Sequence, residues 1–237
     1  MKFTVCIPMY NESKIIADTA KKLSAYMAEN FDDYEIIFSD DGSTDGSADI
    51  VKLLDLPCVR VIGYPDNRGK GSAVREAMLA SEGDAVMFTD SDLAYGTDVI
   101  KRVADTFLEN PDCDLVIGSR SIGKDGYEGY TFLRKVASKT YLKVLKIAGG
   151  LKISDSQCGC KAFSGKAAKK VFSHCEVNRF AFDFEAILIS EKCGYKIKEI
   201  PVKVINHGDS KVSVLRDSFK MIRDIIKMKK RISKLDV

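Results

Sequence analysis

Short apolar runs alternate with segments of helical periodicity over the first half of the chain. Apolar and β-branched runs are typical of buried strands, whereas apolar residues three or four positions apart indicate amphipathic helices. The pattern predicts strands over residues 3–9, 34–39, 59–64, 85–88 and 114–118, with helical segments between them. This alternation predicts an α/β fold with a doubly wound, mostly parallel sheet and helices on both faces.

The pattern changes after residue 120. Helices are predicted over 132–148 and 183–192, and a strand over 195–205, where Pro201 suits the edge of a sheet better than its centre. From about residue 212, apolar residues recur among many lysines and arginines, as in an amphipathic helix. We therefore expect one α/β domain over residues 1–211, followed by a basic amphipathic helix over 212–237.

Composition excludes several classes of protein. The 237 residues carry a net charge of only +3, which argues against a nucleic-acid partner. The seven cysteines are odd in number and several fall in apolar runs, which favours buried thiols in a reducing cytoplasm over disulfides. No apolar run approaches the ~20 residues that span a bilayer, so we expect a cytoplasmic protein.

Two carboxylates one residue apart, Asp90 and Asp92, follow the apolar run at 85–88. In open α/β sheets, ligands bind beyond the carboxyl ends of the strands, so these acids lie where a ligand is expected. Paired oxygen ligands next to a diphosphate suit Mg²⁺ or Mn²⁺. A solvated turn is the alternative, because Asp and Ser are common in turns.

Other predicted strand ends carry polar residues of complementary chemistry. Asp40 and Asp41 are suited to accept hydrogen bonds from a nucleobase or ribose. The Gly69-Lys70-Gly71 run lets the backbone and a cation approach phosphate, although it lacks the spacing of a P-loop. The combination predicts a cleft for a nucleoside diphosphate.

Four motifs, in their order and spacing, resemble the inverting GT-A glycosyltransferases that use nucleotide sugars. They are Ile7-Pro-Met-Tyr-Asn-Glu12, Asp40-Asp-Gly-Ser-Thr-Asp-Gly46, Asn67-Arg-Gly-Lys-Gly71 and Asp90-Ser-Asp92. Three later motifs resemble the dolichyl-phosphate glucosyltransferase branch and its bacterial polyprenyl-phosphate relatives. They are Asp155-Ser-Gln-Cys-Gly-Cys-Lys161, Arg179-Phe-Ala-Phe-Asp-Phe-Glu185 and Gly208-Asp-Ser-Lys211. The resemblance implies a single GT-A domain that transfers a hexose, with UDP-glucose as the expected donor and a polyprenyl or dolichyl phosphate as the acceptor.

The resemblance also implies roles for matching positions. The implied donor site consists of Pro8, Tyr10, Glu12 and Asp41 around the nucleobase and ribose, with Lys70, Ser91 and Lys211 nearer the diphosphate. The implied ligands of Mg²⁺ or Mn²⁺ are Asp90, Asp92 and Gln157. We predict Asp90, Asp92 and Asp183 as the catalytic residues. By similarity to the mannosyl branch, the lipid phosphate is bound by Arg120, Arg134 and Ser138. An exposed helix face for Arg134 and Ser138, and a turn for Gln157, are the alternatives.

The acceptor decides which further groups the reaction needs. A phosphate monoester, with a second pKa near ~6, is mostly dianionic at neutral pH and needs cations more than a base. Arginines at positions 120 and 134 suit that acceptor because guanidinium binds phosphate oxygens in a fork. A sugar hydroxyl would instead need a general base, for which Asp183 and Glu185 are the candidates.

Two other functions and one surface contact remain open from the sequence. The chain could extend a surface glycan through a hydroxyl acceptor, or it could be a sugar nucleotidyltransferase, which also combines paired acids with a nucleotide-binding sheet. The basic segment over 212–237 also fits peripheral contact with the cytoplasmic face of a membrane, because lysines opposite an apolar face suit an anionic leaflet.

Overall fold

The computed structural model describes residues 1–123, 125–126, 142–143, 150, 152–179, 181–205, 225 and 227–236. Its first part contains β1 (Phe3–Met9), α1 (Ile16–Asn30), β2 (Tyr34–Asp40), α2 (Ser47–Leu53), β3 (Val59–Gly63), α3 (Lys70–Ala80) and β4 (Ala85–Phe88). Then follow α4 (Asp98–Glu109), β5 (Leu115–Ser119), β6 (Lys161–Ser164), α5 (Gly165–Ser173), α6 (Phe182–Lys192) and β7 (Ile197–Pro201).

The strands form one sheet in the order β3-β2-β1-β4-β6-β5-β7. The pairs β1–β2, β1–β4, β2–β3 and β5–β7 are parallel, whereas β6 runs antiparallel to both β4 and β5. The predicted α/β sheet, mostly parallel and with helices on both faces, is therefore confirmed, with one reversed strand near its middle. Since β1, β2 and β4 are parallel neighbours, their carboxyl ends meet at one edge of the sheet.

Each face of the sheet has its own hydrophobic core. In β1, Phe3, Val5 and Ile7 pack on the face that α1 and α4 cover, while Cys6 lies in the core on the face that α3, α5 and α6 cover. Both faces of this strand are fully buried, because successive side chains of a strand point to opposite sides. Continuous apolar runs such as those of β1 and β4 are therefore what a doubly covered sheet requires.

Two elements were missing from the sequence-based prediction. The sequence pattern indicated that the chain returns to the sheet near Lys161, but it did not predict β6. The first residue of this strand is a lysine with no exposed surface. It also did not predict α5, which begins after Ser164, whose side chain accepts a hydrogen bond from the Ala167 N–H. The predicted edge position of Pro201 is confirmed, because this residue ends β7 at the border of the sheet.

The described residues near the C-terminus pack against the domain. Residues 227–232 are helical, and Ile225, Met228 and Ile232 are buried in the core that contains α3, α5 and α6. The sequence-based hypothesis placed the apolar side of this segment on a membrane, but these three side chains contact the protein interior instead. Phe219 and Ile222 lie outside the described residues. Among the described residues, no helix is long and apolar enough to cross a bilayer.

A buried ion pair joins this C-terminal segment to α6. The Arg231 guanidinium binds Glu185 Oε1 and donates a 3.1 Å hydrogen bond to the His174 carbonyl. Glu185, which has no exposed surface, also accepts hydrogen bonds from the N–H groups of Glu176 (3.0 Å) and Val177 (2.8 Å). Among these contacts, Arg231 is therefore the only positively charged partner of the Glu185 carboxylate.

We expect Arg231→Met to lower the free energy of unfolding by about 3 kcal/mol, because it leaves the Glu185 carboxylate buried without its cation. Urea unfolding followed by circular dichroism measures the change. Lys196→Met, which breaks an exposed ion pair with Asp112, is the control and should cost less than about 1 kcal/mol. Equal losses in the two variants would show that the buried pair contributes no more than a surface pair.

Candidate functional site

The loops that follow β1 and β2 are joined by a set of hydrogen bonds. Three side-chain oxygens after β2 accept hydrogen bonds from three successive N–H groups after β1, each at 2.9 Å: Ser43 Oγ from Asn11, Ser47 Oγ from Glu12, and Asp45 Oδ2 from Ser13. Asn11 Oδ1 in return accepts from the Thr44 N–H at 2.9 Å. Burial would raise the pKa of Asp45, but its hydrogen bonds with Ser47 and Ser13 lower it on balance. The loop that carries Tyr10 and Glu12 is therefore held in one shape.

Residues predicted to bind the nucleotide-sugar donor lie at the edge of the loops after β1 and β2. Pro8 is buried within β1, whereas Tyr10 is 42% exposed and Glu12 is partly exposed where α1 approaches. Ser91, between the two acids after β4, is buried, and its carbonyl accepts a 2.6 Å hydrogen bond from Thr19 Oγ1. The structure thus brings these four predicted residues to the same edge of the sheet, where Tyr10 offers an aromatic ring to solvent.

Asp41 organises the loop between β3 and α3. Its carboxylate accepts hydrogen bonds from Tyr64 Oη (2.7 Å), Asn67 Nδ2 (2.9 Å), and the N–H groups of Arg68 (2.9 Å) and Gly69 (2.9 and 3.0 Å). Burial and the neighbouring carboxylate raise the pKa of Tyr64, which keeps its hydroxyl protonated as a donor. The sequence analysis assigned Asp41 to the nucleobase and ribose. In the structure its acceptor capacity is used by this loop.

The glycines on either side of Lys70 contact protein backbone. Gly69 has a φ of 111°, and a Cβ on Gly69 or Gly71 would overlap the carbonyl oxygens of Asn178 and Val177, respectively. The Gly71 N–H donates a 2.8 Å hydrogen bond to the Asn178 carbonyl. The prediction that this backbone approaches phosphate is therefore corrected: the Gly71 N–H has a protein partner, and the glycines allow two chain segments to pack closely.

Lys70 contacts the first acid of the predicted metal pair. Its Nζ forms an ion pair with Asp90 Oδ1, and both side chains are a little over a quarter exposed. Burial would lower the pKa of Lys70, but the charges of Asp90 and Asp183 raise it on balance. Asp92 Oδ1 accepts a 3.0 Å hydrogen bond from the Ala94 N–H, and burial together with the charge of Asp90 raises the pKa of Asp92.

The backbone at Gly159 packs directly against the Asp90 side chain. A Cβ on Gly159 would lie 2.3 Å from Asp90 Oδ2, so any other residue here would force the carboxylate to shift. The Gly159 N–H donates a 3.1 Å hydrogen bond to Tyr95 Oη, which fixes the position of this backbone. The sequence analysis gave no role to Tyr95, nor to Gly159, although this glycine lies within one of the quoted motifs.

A buried arginine and aspartate lie at the end of β5. Arg120 Nε and Nη2 donate hydrogen bonds of 2.7 and 2.9 Å to the two carboxylate oxygens of Asp155, which has no exposed surface. Burial would raise the pKa of Asp155, but the Arg120 guanidinium lowers it on balance. Arg120 was predicted to bind the acceptor phosphate; the structure shows two of its nitrogens bound to Asp155. The Gln157 amide, a predicted metal ligand, makes a 3.5 Å contact with its neighbour's carbonyl.

A second buried ion pair lies beside the first. Lys161 Nζ is 2.7 Å from Asp183 Oδ1 and 2.5 Å from the Cys158 carbonyl oxygen. Burial raises the pKa of Asp183, opposed by the charges of Lys161 and Lys70. The sequence analysis selected Asp183 but gave no role to Lys161, although this lysine ends one of the quoted motifs. Lys211, Arg134 and Ser138 lie outside the described residues.

The acids at the end of β4 fit a divalent cation bound through few protein ligands. Among the described residues, no three Asp, Glu, His or Cys side chains form a metal cluster. Two carboxylates one residue apart are nonetheless a suitable partial ligand set, because Mg²⁺ and Mn²⁺ sites often combine one or two carboxylates with substrate phosphates. Asp90 and Asp92 therefore fit the protein's share of such a site.

Known proteins resemble this chain over most of its length. The model of the family described as glycosyl transferase family 2 matches residues 4–172. A dolichyl-phosphate beta-glucosyltransferase of Trichomonas vaginalis is 32% identical over 238 residues, which cover 95% of this chain and 70% of that protein. The dolichyl-phosphate beta-glucosyltransferase of Dictyostelium discoideum is 31% identical over 244 residues, with coverages of 96% and 74%.

A solved structure supports the fold assignment. Glucosyl-3-phosphoglycerate synthase from Mycobacterium tuberculosis, crystallised with Mn²⁺, uridine diphosphate and phosphoglyceric acid, superimposes with a TM-score of 0.69. The match covers 100% of this chain and 80% of that one at 20% identity. At this identity the similarity establishes the GT-A arrangement of strands and helices and nothing finer.

We expect Gly159→Ala to weaken Mn²⁺ binding about tenfold or more, because the new methyl group would displace the Asp90 carboxylate. Titration with Mn²⁺ in the presence of uridine diphosphate measures the effect. Gly123→Ala is the matched control, since a Cβ there meets Pro201 only at an ordinary 3.4 Å. Wild-type Mn²⁺ affinity in Gly159→Ala would mean that the position of Asp90 does not matter for the cation.

We expect Asp41→Asn to destabilise the protein by about 2 kcal/mol, because an amide group would face donors that the carboxylate now satisfies. Thermal and urea unfolding test this. Asp66→Asn, an exposed change in the same loop, should leave stability within about 0.5 kcal/mol of the wild type. A stable Asp41→Asn protein that had lost only nucleotide affinity would instead support the original assignment of Asp41 to the nucleobase and ribose.

Proposed function

Because the chain belongs to glycosyl transferase family 2, we propose that it transfers glucose from UDP-glucose to the phosphate of dolichol or a related polyprenol, using Mg²⁺ or Mn²⁺. It is a glycosyltransferase with a GT-A fold. The glucosyl group and the lipid phosphate are supported by the two relatives above 30% identity, both named dolichyl-phosphate beta-glucosyltransferase. The uridine nucleotide and the cation are supported by the solved structure that holds both.

The choice of acceptor rests on the protein partners of the two candidate bases, Asp183 and Glu185. A sugar hydroxyl must lose a proton as it attacks, so an enzyme for that acceptor needs a carboxylate or imidazole that is free to take it. Asp183 is paired with Lys161, and Glu185 with Arg231 and two backbone N–H groups. Both carboxylates selected for this task are thus buried and bound by protein partners. A phosphate acceptor, already ionised, removes the need for either of them.

The proposed reaction is a single displacement at the anomeric carbon. An oxygen of the lipid phosphate attacks C1 of glucose, the bond from C1 to the β-phosphate oxygen breaks, and uridine diphosphate leaves. No proton is transferred, and the configuration at C1 inverts. A cation held by Asp90 and Asp92 would neutralise charge that develops on the departing diphosphate.

The chain's own residues have three tasks in this scheme. The joined loops after β1 and β2 present Tyr10 and Glu12 to the nucleoside. Lys70 lies at the expected position of the diphosphate, beside Asp90. For the lipid phosphate, Arg134 and Ser138 remain predictions from the resemblance, as does Lys211 for the diphosphate. Arg120 would act with its guanidinium oriented by Asp155.

Contact with a membrane surface follows from the acceptor, because a long polyprenyl chain resides in a bilayer. We propose a peripheral contact on the side of the site where the lipid phosphate enters. The buried positions of Ile225, Met228 and Ile232 leave these three side chains no part in it. The catalytic domain therefore needs another surface for this contact.

The test is transfer from radiolabelled UDP-glucose to a short polyprenyl phosphate, comparing Asp92→Ala with the double variant Asp183→Asn/Lys161→Met. We expect Asp92→Ala to lower transfer at least a hundredfold, whereas the double variant, which removes both buried charges together, should stay within about tenfold of the wild type. Loss of a general base typically costs 10²- to 10⁴-fold. Asp66→Asn is the control with an exposed carboxylate changed.

Other outcomes identify the alternatives. Transfer to a sugar hydroxyl but not to the lipid phosphate, with a large loss in the double variant, would identify a glycan-extending enzyme. Release of pyrophosphate from a nucleoside triphosphate and a sugar phosphate would identify a nucleotidyltransferase. Thermal unfolding of each variant separates a chemical loss from a folding loss.

A further inference from the structure

A lysine occupies the place at which the cation is expected. Lys70 Nζ is ion-paired with Asp90 Oδ1, one of the carboxylates that fit a divalent ion. An ammonium and a divalent ion cannot both contact the same oxygen closely, because their charges repel over a distance of a few ångströms. The observed pairing is therefore an arrangement that cation binding must disrupt.

Asp90 has little freedom to avoid this competition. Its carboxylate lies directly against the Gly159 backbone, where even a methyl group would overlap Oδ2. The Gly159 backbone therefore closes one side of the carboxylate, and Lys70 is bound at Oδ1. A cation that binds Oδ1 requires the lysine side chain to move.

Only the end of the Lys70 side chain is free to move. Its backbone begins α3 and is held in place on both sides. Gly69 and Gly71 pack on residues 177–178, and the Gly71 N–H donates a hydrogen bond to the Asn178 carbonyl. The side chain itself is 28% exposed, so its ammonium can swing within the cleft without unfolding the helix. The anchored backbone keeps a displaced ammonium near the expected diphosphate.

The charges near the site favour such an exchange. Asp90, Asp92 and Asp183 carry three negative charges, and Lys70 and Lys161 two positive ones, which leaves one net negative charge among these five groups. A divalent ion makes this sum positive by one unit. That excess is matched by the negative charge of an incoming diphosphate.

We propose that Lys70 is the resident counter-ion of Asp90, that a divalent cation displaces it, and that the displaced ammonium then binds the diphosphate of the donor. The inference rests on the proposed use of a cation at Asp90 and Asp92. It assigns Lys70 two successive partners and makes cation binding and nucleotide binding favour each other. Reciprocal coupling of this kind typically changes affinity by about 5- to 150-fold.

Mn²⁺ binding to the purified full chain, with and without uridine diphosphate, tests the exchange. The free Mn²⁺ concentration is read by electron paramagnetic resonance, so no catalytic turnover is needed. Without nucleotide, Lys70→Met should bind Mn²⁺ about fivefold more tightly than the wild type or better, because no ammonium competes for Asp90. The factor by which uridine diphosphate improves Mn²⁺ affinity should be smaller in Lys70→Met than in the wild type.

Two further variants control the comparison. Lys196→Met removes a positive charge from an exposed ion pair with Asp112 and should keep wild-type Mn²⁺ affinity. Lys70→Arg retains the competing charge and should not gain affinity in the absence of nucleotide. Circular dichroism and thermal unfolding establish that each variant is folded before titration.

The possible failures are distinguishable. Unchanged or weaker Mn²⁺ binding by folded Lys70→Met without nucleotide would overturn the exchange while leaving the proposed glucosyl transfer intact. A wild-type chain that binds no Mn²⁺, even with uridine diphosphate, would overturn both the cation in the proposed function and the exchange. Transfer to the lipid phosphate is measured separately and decides the acceptor.

Discussion

The pairing of buried charges at the end of β4 constrains the rest of this structure. Asp183 is almost wholly buried and Asp90 lies close to it, in surroundings where an unpaired charge costs several kcal/mol. Lys70 and Lys161 offset this cost, and they come from different places, the start of α3 and the start of β6. Asp183 can be buried, and Asp90 partly so, only when α3 and β6 are both packed against the centre of the sheet. The fold and the charge pattern of the site therefore form together.

Close backbone approach is the second requirement of the site. Gly69 and Gly71 let the start of α3 lie against residues 177–178, and Gly159 lets another loop lie against Asp90. At Gly69 and Gly71 the neighbouring atoms are backbone carbonyl oxygens, so a larger residue there would displace the main chain. In the resulting cleft, packing fixes the backbones of the charged residues, while the side-chain ends of Lys70 and Tyr10 keep solvent access.

Much of the fold could be predicted because both faces of the sheet are covered. β1 and β4 are continuous apolar runs, and their predicted bounds agree with the structure to the residue. β6 escaped prediction because it begins with a lysine, which normally indicates a surface. Lys161 is buried because Asp183 is 22 positions away in sequence and adjacent in space. A pattern of apolar positions along the sequence cannot show that Lys161 and Asp183 are adjacent in space.

The same reasoning explains what was predicted of the site. The motifs located the acids after β4 correctly, since a strand end followed by carboxylates is visible locally. They assigned Asp41 and Arg120 to ligands because each residue type is suited to one. The competing protein partners, the 64–69 loop for Asp41 and Asp155 for Arg120, are set by tertiary packing. A charged residue at a strand end can therefore have protein partners that its residue type alone does not indicate.

The C-terminal residues are part of this arrangement through a continuous series of contacts. Arg231 binds Glu185, whose other oxygen accepts hydrogen bonds from the N–H groups of Glu176 and Val177. The next carbonyls along that loop, of Val177 and Asn178, contact the glycines that flank Lys70. A shift of Arg231 would thus act on the backbone that positions Lys70 beside Asp90. The segment predicted as an appendage to the domain is, in its described part, a support of the site, since its apolar side chains fill the core and its arginine orders the loop behind α3.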